Sequence, residues 1–217
     1  MRATSLFKKL LDVKGMVIEN LEIRESLDDP HLVIKAHPTK HEQHRCGKCG
    51  RKCSGYDGSH ECRRWRSLDA FGMRVFIEAD TVRVFCPEDG IVTAAVPWAR
   101  HKSRFTTAFE DEVAWMATRT SRSVVSEMMR ISWNTVGPIA QRVYDELRAD
   151  LPNPFDGLTC IGIDETSYKK GHKYITVVVN HDDGSLLCAA KGYGKEVLEQ
   201  FFQLLTRTAR QHPVCHC

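Results

Sequence analysis

The chain has 217 residues, of which 42% are hydrophobic and 27% are charged. This balance excludes a wholly disordered or a collagen-like chain, and the net charge of +3 is too small to indicate nucleic-acid binding by itself. No apolar run approaches the ~20 residues of a membrane helix. Because the first residues also lack the apolar core of a secretory signal, we expect a soluble, cytoplasmic protein with no membrane partner.

The N-terminal residues 1–38 are typical of a short helix followed by two strands. Apolar and polar residues alternate in part over residues 17–23, and a second apolar run covers residues 31–36. Over residues 40–66 the composition changes to eight Lys or Arg against three acidic residues, a local charge of +5, and aliphatic residues nearly vanish. Since such a segment cannot bury a core of its own, it needs another stabilising element.

The cysteines point to that element. Five of the nine lie between Cys46 and Cys86, and in a reducing cytosol such a cluster favours a metal over disulfides. Cys46 and Cys49 form a C-x-x-C pair, and Cys86 and Asp89 form a second pair with the same spacing. We predict a structural zinc bound by Cys46, Cys49, Cys86 and Asp89. Because aspartate is uncommon in structural zinc sites, the alternatives for the fourth ligand are Cys53, Cys62, His60 and His44, and unligated thiols are the other interpretation.

A basic segment lies at residues 63–66, where Arg63, Arg64 and Arg66 surround Trp65. Positive side chains around a planar ring are suited to DNA phosphate contacts, so we predict that these four residues bind DNA. The alternative is a solvent-exposed strand edge. Residues 71–86 then predict two strands, from the alternation of apolar residues.

From residue 106 to residue 150 the apolar period becomes that of helices, and residues 122–142 match a helix-turn-helix template. The apolar template positions are occupied by Val125, Met129, Ile131, Val136 and Ile139, and the small position by Ser126. Arg130 fits less well, since the turn prefers glycine there, and Pro138 removes one helix hydrogen bond. We predict that Ser132 caps the second helix and that DNA is read by Ser132, Trp133, Asn134, Gln141 and Arg142. A plain packing hairpin is the alternative.

The breaker-rich residues 151–157 mark the clearest domain boundary. Strand-like runs follow at 158–163, 174–180 and 186–190, the last two joined by a hairpin loop at 181–184, and a helix is predicted at 195–207. Asp164 comes at the end of the first run. An acid at the tip of a central strand, in a three-strand meander followed by a helix, is the layout of a ribonuclease-H-like core. Alone it is a weak signal, because such a residue often only caps a turn.

Together these motifs resemble the ISL-three family of bacterial insertion-sequence transposases. The matches occur in order over nearly the whole chain: RCGKCG at 45–50, RRWRSLD at 63–69, RVFCPEDG at 83–90, VPWAR at 96–100, SRFT at 103–106, ISWNTVG at 131–137 and IGIDETSYKKGHKY at 161–174. The last stretch is the most specific.

The resemblance implies a multi-domain α+β protein. Its expected parts are an N-terminal helix and strand segment (1–38), a small β-rich zinc-binding domain (39–100), a helix-turn-helix (101–150) and three strands and one helix of a ribonuclease-H-like DDE catalytic domain (156–217). Such enzymes bind the terminal inverted repeats of their element and cut and rejoin DNA strands. Asp164 maps to the first of three carboxylates that hold two Mg²⁺ ions. The implied partners are double-stranded DNA at the transposon ends and either a second copy or a full-length transposase.

One departure from the family pattern concerns catalysis. No Asp or Glu follows Glu199, so the second and third carboxylates are missing. We therefore expect a C-terminally truncated transposase that binds magnesium unproductively and is inactive alone, located with the bacterial nucleoid. A DNA-binding regulator of transposition and a decayed reading frame are the alternatives.

Overall fold

The computed structural model describes residues 3–25, 29–58, 60–148, 151, 153–171 and 173–211. The chain divides into two compact units, residues 1–148 and 149–217. Both units contain helices and sheets, which confirms the predicted mixed α+β class. Among the described helices, none has both the length and the apolar composition to cross a bilayer.

The first unit contains eleven of the described elements. They are α1 (Ala3–Leu11), β1 (Met16–Arg24), β2 (His31–Pro38), β3 (Ser54–Gly55), β4 (Glu61–Ala70), β5 (Met73–Thr81), β6 (Arg83–Cys86), β7 (Gly90–Thr93), α2 (Thr107–Ala117), α3 (Arg122–Met129) and α4 (Trp133–Arg148). The helix and two strands predicted for residues 1–38 are confirmed, as are the two strands predicted for residues 71–86. The basic segment lies on β4, but β4 is not the solvent-exposed strand edge of the alternative interpretation, because Trp65 and Arg66 are buried.

The main sheet has the strand order β1-β2-β5-β4. β2 and β5 run parallel, whereas the outer pairs are antiparallel. Strands of the predicted segment 1–38 therefore pair directly with strands of the predicted segment 39–100. Ile34 and Ile77 are fully buried in its core, and Trp65 packs edge-to-face against Trp98 with ring centroids 5.6 Å apart.

A smaller sheet with the order β3-β6-β7 carries the second ligand pair of the predicted zinc site. β6 and β7 form a hairpin in which Cys86 pairs with Gly90. Gly90 has a φ of +72°, a conformation that a residue with a side chain rarely adopts. The four residues from Cys86 to Asp89 consequently fold back within one tight turn.

Helices α2, α3 and α4 pack around a common apolar core. Its fully buried members are Phe109, Val113, Val125, Val136 and Ile139. The hydroxyls of Thr106 and Ser121 accept hydrogen bonds from the first turns of α2 and α3. α4 continues without a break through Pro138. The predicted helix-turn-helix is thus present, with the apolar spacing of the template on its buried face.

The second unit contains β8 (Ile161–Lys169), β9 (Lys173–Asn180), β10 (Leu186–Lys191) and α5 (Lys195–Gln211). The sheet order β10-β9-β8 is antiparallel throughout, and the predicted hairpin loop joins β9 to β10. Val178, Val197 and Phe201 are buried between sheet and helix. The three predicted strands and the helix are confirmed, with one correction: β8 extends to Lys169, so Asp164 lies within the strand, paired with Val177, and not at its end.

Candidate zinc centre and DNA interface

The first ligand pair lies on a short knuckle between β2 and β3. Cys46 and Cys49 flank a tight turn in which Gly50 donates its backbone N–H to the carbonyl of Cys46 at 3.0 Å. The backbone N–H of Lys48 points at the Cys46 sulfur at 3.4 Å. The backbone of Cys46 also forms an isolated antiparallel β-bridge with Ala94, which directly follows β7. This bridge brings the knuckle against the β6–β7 hairpin, where the second pair lies.

The four predicted ligands converge. One ligand atom from each of Cys46, Cys49, Cys86 and Asp89 lies within 4.8 Å of the others. The Cys49 and Cys86 sulfurs are 3.6 Å apart, and Asp89 Oδ2 lies 3.2 Å from the sulfur of Cys46 and 3.7 Å from that of Cys86. Zn–S bonds of ~2.3 Å and Zn–O bonds of ~2.0–2.2 Å at tetrahedral angles place the ligand atoms about 3.5–3.8 Å apart. The donor set therefore fits one tetrahedral zinc.

The electrostatics of the cluster are those of a site that holds a cation. The pKa of Asp89 is lowered because the Cys46 thiol donates a hydrogen bond to it and Lys48 lies nearby. A backbone hydrogen bond with Arg51 favours the Cys49 thiolate, but desolvation and the neighbouring acidic groups raise the pKa of Cys49 to about 12. Desolvation also disfavours the Cys86 thiolate, yet hydrogen bonds from backbone N–H groups and from the neighbouring thiols lower its pKa.

The alternative fourth ligands differ in position. Cys62, His60 and His44 are outside the converging group found among the described residues. Cys53 is near it, since its thiol hydrogen-bonds with Cys86, and desolvation together with this hydrogen bond raises the pKa of Cys53. Its thiol faces the carbonyl of Arg51 at 3.4 Å. Asp89 is therefore the best-placed fourth ligand, and Cys53 is the nearest replacement.

The basic segment on β4 corrects two sequence-based predictions. Trp65 is 4% exposed in the core of the main sheet, and Arg66 is 7% exposed. Arg66 is covered because residues 104–106 lie along the edge of β4, where its backbone bonds to Arg104 and Thr106. Neither side chain is available to DNA, contrary to our prediction.

Arg63 and Arg64 remain at the surface but have carboxylate partners. Arg63 pairs with Glu61 at 2.9 Å, and Arg64 donates two hydrogen bonds to Glu78, the shorter at 2.6 Å. Their assignment to DNA stays a prediction, and it requires that these surface pairs open.

The start of α4 presents three of the predicted DNA-reading residues. Ser132, Trp133 and Asn134 are exposed, and the guanidinium of Arg122 lies 5.4 Å from the centroid of the Trp133 ring. The turn before them is closed by Arg130, whose φ of 52° and ψ of 48° are left-handed. An arginine thus adopts the conformation for which the template prefers glycine, and the turn is retained.

Further along α4 the predicted residues are engaged within the protein. Gln141 is exposed and donates a hydrogen bond to Asp145 at 2.8 Å. Arg142 instead forms an ion pair with Glu110, a fully buried carboxylate on α2. The Arg142 side chain is still 36% exposed, so its assignment to DNA stays a prediction, and it requires that the pair with Glu110 be shared or opened.

Sequence reasoning missed Glu110 and Arg130. Glu110 lies on the inward face of α2, three residues before Val113 and seven before Ala117. A lone acid on an apolar stripe is the signal that would have found it, since a buried charge requires a partner. Arg130 was noticed only as an unfavourable turn residue; its contacts with the β4–β5 hairpin have no local signature.

Asp164 is exposed on β8. Its neighbour Glu165 points to the other face of the strand and accepts a hydrogen bond from the backbone N–H of Gly194, just before α5, at 2.7 Å. In the part of the chain that the structure describes, no group of three ligating side chains forms around Asp164. The donor set present does not fit a pair of magnesium ions.

Three family models match the chain. A zinc-finger model of the transposases IS204/IS1001/IS1096/IS1165 covers residues 42–89, a helix-turn-helix model of transposase family ISL3 covers 94–144, and a transposase model of the same family covers 161–215. The zinc-finger model contains all four converging ligands. Together with the cluster itself, it indicates a structural zinc.

Curated relatives are named as transposases. The chain is 46% identical over 208 residues to the transposase for insertion sequence element IS1557 of Mycobacterium tuberculosis, which covers 94% of this chain and 47% of the relative. It is 26% identical over 170 residues to the transposase for IS1001 of Bordetella parapertussis, covering 76% and 40%. The chain thus spans about half the length of the curated relatives it matches, and no solved structure is significantly similar to it. The three consecutive domain models and these relatives show that the chain belongs to the ISL3 family of insertion-sequence transposases.

Proposed function

We propose that the first unit binds double-stranded DNA at the terminal inverted repeats of an insertion sequence, with α4 in the major groove. The observation that carries this proposal is the helix-turn-helix itself: α3, the left-handed Arg130 and α4 leave Ser132, Trp133 and Asn134 exposed at the start of the second helix. In this motif the N-terminal residues of the second helix contact base edges. Asn134 is the candidate for adenine, which asparagine recognises through two hydrogen bonds.

Zinc has a structural role in this proposal. Bound by Cys46, Cys49, Cys86 and Asp89, it would join the knuckle to the β6–β7 hairpin and supply folding energy to a segment with few aliphatic residues. No ligand position is left open for a substrate, so no catalytic step is assigned to the zinc.

For the second unit we propose an RNase-H-like fold and, within the whole transposase, a catalytic role for Asp164. The meander β8-β9-β10 followed by α5 supports the fold, and the exposed carboxylate of Asp164 supports the role. DNA strand cleavage and transfer are proposed for the complete family architecture. The described residues offer no two-metal site around Asp164.

Binding to DNA is tested with the 217-residue protein and a randomised 30-bp duplex library. Selection followed by fluorescence anisotropy on the enriched duplex is expected to show sequence-specific binding that weakens steeply with salt, because bound phosphates release counterions. Asn134→Ala is expected to cost about 1–3 kcal/mol and to relax specificity at one position. The matched control is Asn20→Ala on β1, an exposed asparagine away from α4. Failure to enrich any duplex, or equal affinities for both variants, would refute the assignment.

A further inference from the structure

The turn between β4 and β5 carries an aromatic side chain that the fold does not use. Ala70 pairs with Met73, so Phe71 and Gly72 form a two-residue hairpin turn. Their φ angles are +53° and +79°. Positive φ at both central positions is characteristic of a type I′ turn, which strongly prefers Asn-Gly or Asp-Gly. Phenylalanine is strained in that conformation, and its ring is 93% exposed, so packing does not compensate. A strained backbone conformation whose cost is not offset by packing of the side chain indicates that the residue has a function.

This turn is fixed against the helix-turn-helix. The carboxylate of Asp69 accepts hydrogen bonds from both Arg66 and Arg130. Arg130 also donates to the carbonyl of Gly72 at 3.1 Å. Arg130 ends α3, and α4 begins three residues later at Trp133. The Arg130 side chain therefore connects the tip of the hairpin to the turn that precedes the proposed recognition helix.

The tip presents one exposed arginine. Asp69 is shared by Arg66, which is buried, and Arg130, whose side chain is 41% exposed beside the turn. Arg104, next to Arg66 along the edge of β4, is exposed. An exposed apolar side chain with exposed arginines nearby, here Arg130 and Arg104, is the combination with which proteins enter the minor groove and unstack a base step. A polyanionic duplex complements this surface better than an apolar protein partner does.

We propose that Phe71 is a DNA wedge: with α4 in the major groove, the β4–β5 turn reaches the adjacent minor groove and the Phe71 ring inserts at a base step. This inference rests on the proposed DNA binding by α4. It adds a second contact that kinks the duplex beside the site that α4 reads.

The test is Phe71→Asn in the 217-residue protein, with the selected 30-bp duplex labelled at both ends for energy transfer. Asparagine tolerates positive φ, so the melting temperature is expected to stay the same or rise. The affinity is expected to fall by about tenfold or more, as for loss of a central aromatic contact. The bend reported by energy transfer is expected to decrease. Leu10→Asn, at a 62% exposed leucine on α1, is the matched control. This variant is expected to change neither the DNA affinity nor the bend.

The outcomes separate the two proposals. If the wild-type protein selects no duplex, the proposal that α4 binds DNA is wrong, and the wedge that rests on it is wrong as well. If the wild type binds and bends a duplex while Phe71→Asn matches it in affinity and bend, the wedge is wrong and the recognition helix stands. If Phe71→Asn instead changes the sedimentation mass at unchanged DNA affinity, the ring serves contacts between copies of the chain, which also overturns the wedge.

Discussion

Glu110 on α2 is fully buried, and its carboxylate forms an ion pair with Arg142 on α4. Arg100 lies 3.4 Å from the same carboxylate, and Ser103 donates a hydrogen bond to it at 2.7 Å. Donors from residues 100–103 and from α4 thus converge on one acid of α2. The carboxylate therefore joins α4 to α2 and to the segment that precedes α2.

We predict that Glu110→Ala destabilises the first unit by about 1–3 kcal/mol, because the buried Ser103 hydroxyl and Arg142 lose their hydrogen-bond acceptor, whereas Arg100 keeps Asp111 and Glu146 as partners. The measurement is urea unfolding of the zinc-loaded protein followed by tryptophan fluorescence, which reports on the first unit because all four tryptophans lie there. Glu112→Ala, at an exposed position of the same helix, is the control, with an expected change of about 0.5 kcal/mol or less. Similar effects of both substitutions would show that the buried carboxylate has no special role.

The ligand assignment predicts about one zinc per chain by mass spectrometry under native conditions, since the four donors describe one tetrahedron. Cys46→Ser is expected to remove the metal, and a variant that retains it would reject the site. Asp89→Asn separates the two candidates for the fourth ligand. If Asp89 is a ligand, this variant binds zinc more weakly while Cys53→Ser does not; the reverse result would assign Cys53.

Zinc affinity is predicted to rise with pH. In the metal-free protein the pKa of Cys49 is about 12, so this thiol is protonated at neutral pH, whereas zinc binds the thiolate. The pKa of Asp89 is lowered, so the aspartate is already ionised and contributes no proton. Each proton released gives roughly a tenfold gain in affinity per pH unit, and at least one is expected from Cys49. Chelator competition between pH 6 and 8 measures the slope, and a flat profile would contradict the assignment.

The helix-turn-helix and the zinc ligands could be predicted because their signals are local. Val125, Val136 and Ile139 follow the helical period. The two ligand pairs have fixed spacings within turns. That the pairs meet could be inferred only from the coordination number of zinc, since the Cys46–Ala94 bridge joins residues 48 positions apart.

The errors arose where distant segments decide exposure. In the sequence, Trp65 and Arg66 look like a basic surface motif. In the structure both side chains are buried, because residues 104–106 pair with the edge of β4. The ion pair of Arg142 likewise could not be predicted, because its partner Glu110 lies 32 residues earlier. The end of β8 was misplaced because residues 165–169 are polar. Backbone pairing with β9 continues the strand where the apolar pattern stops.

Asp164 and Glu165 are adjacent carboxylates on β8, and their replacement by alanine is predicted to affect the second unit differently. Asp164 is exposed, so Asp164→Ala should change the stability of the second unit by about 0.5 kcal/mol or less. Glu165→Ala should increase amide exchange at the start of α5, because Gly194 loses its hydrogen-bond acceptor. Within the whole transposase, the catalytic role proposed for Asp164 predicts that Asp164→Ala abolishes DNA strand cleavage in Mg²⁺ while DNA binding by the first unit is unchanged. Strand cleavage retained by that variant would refute the role.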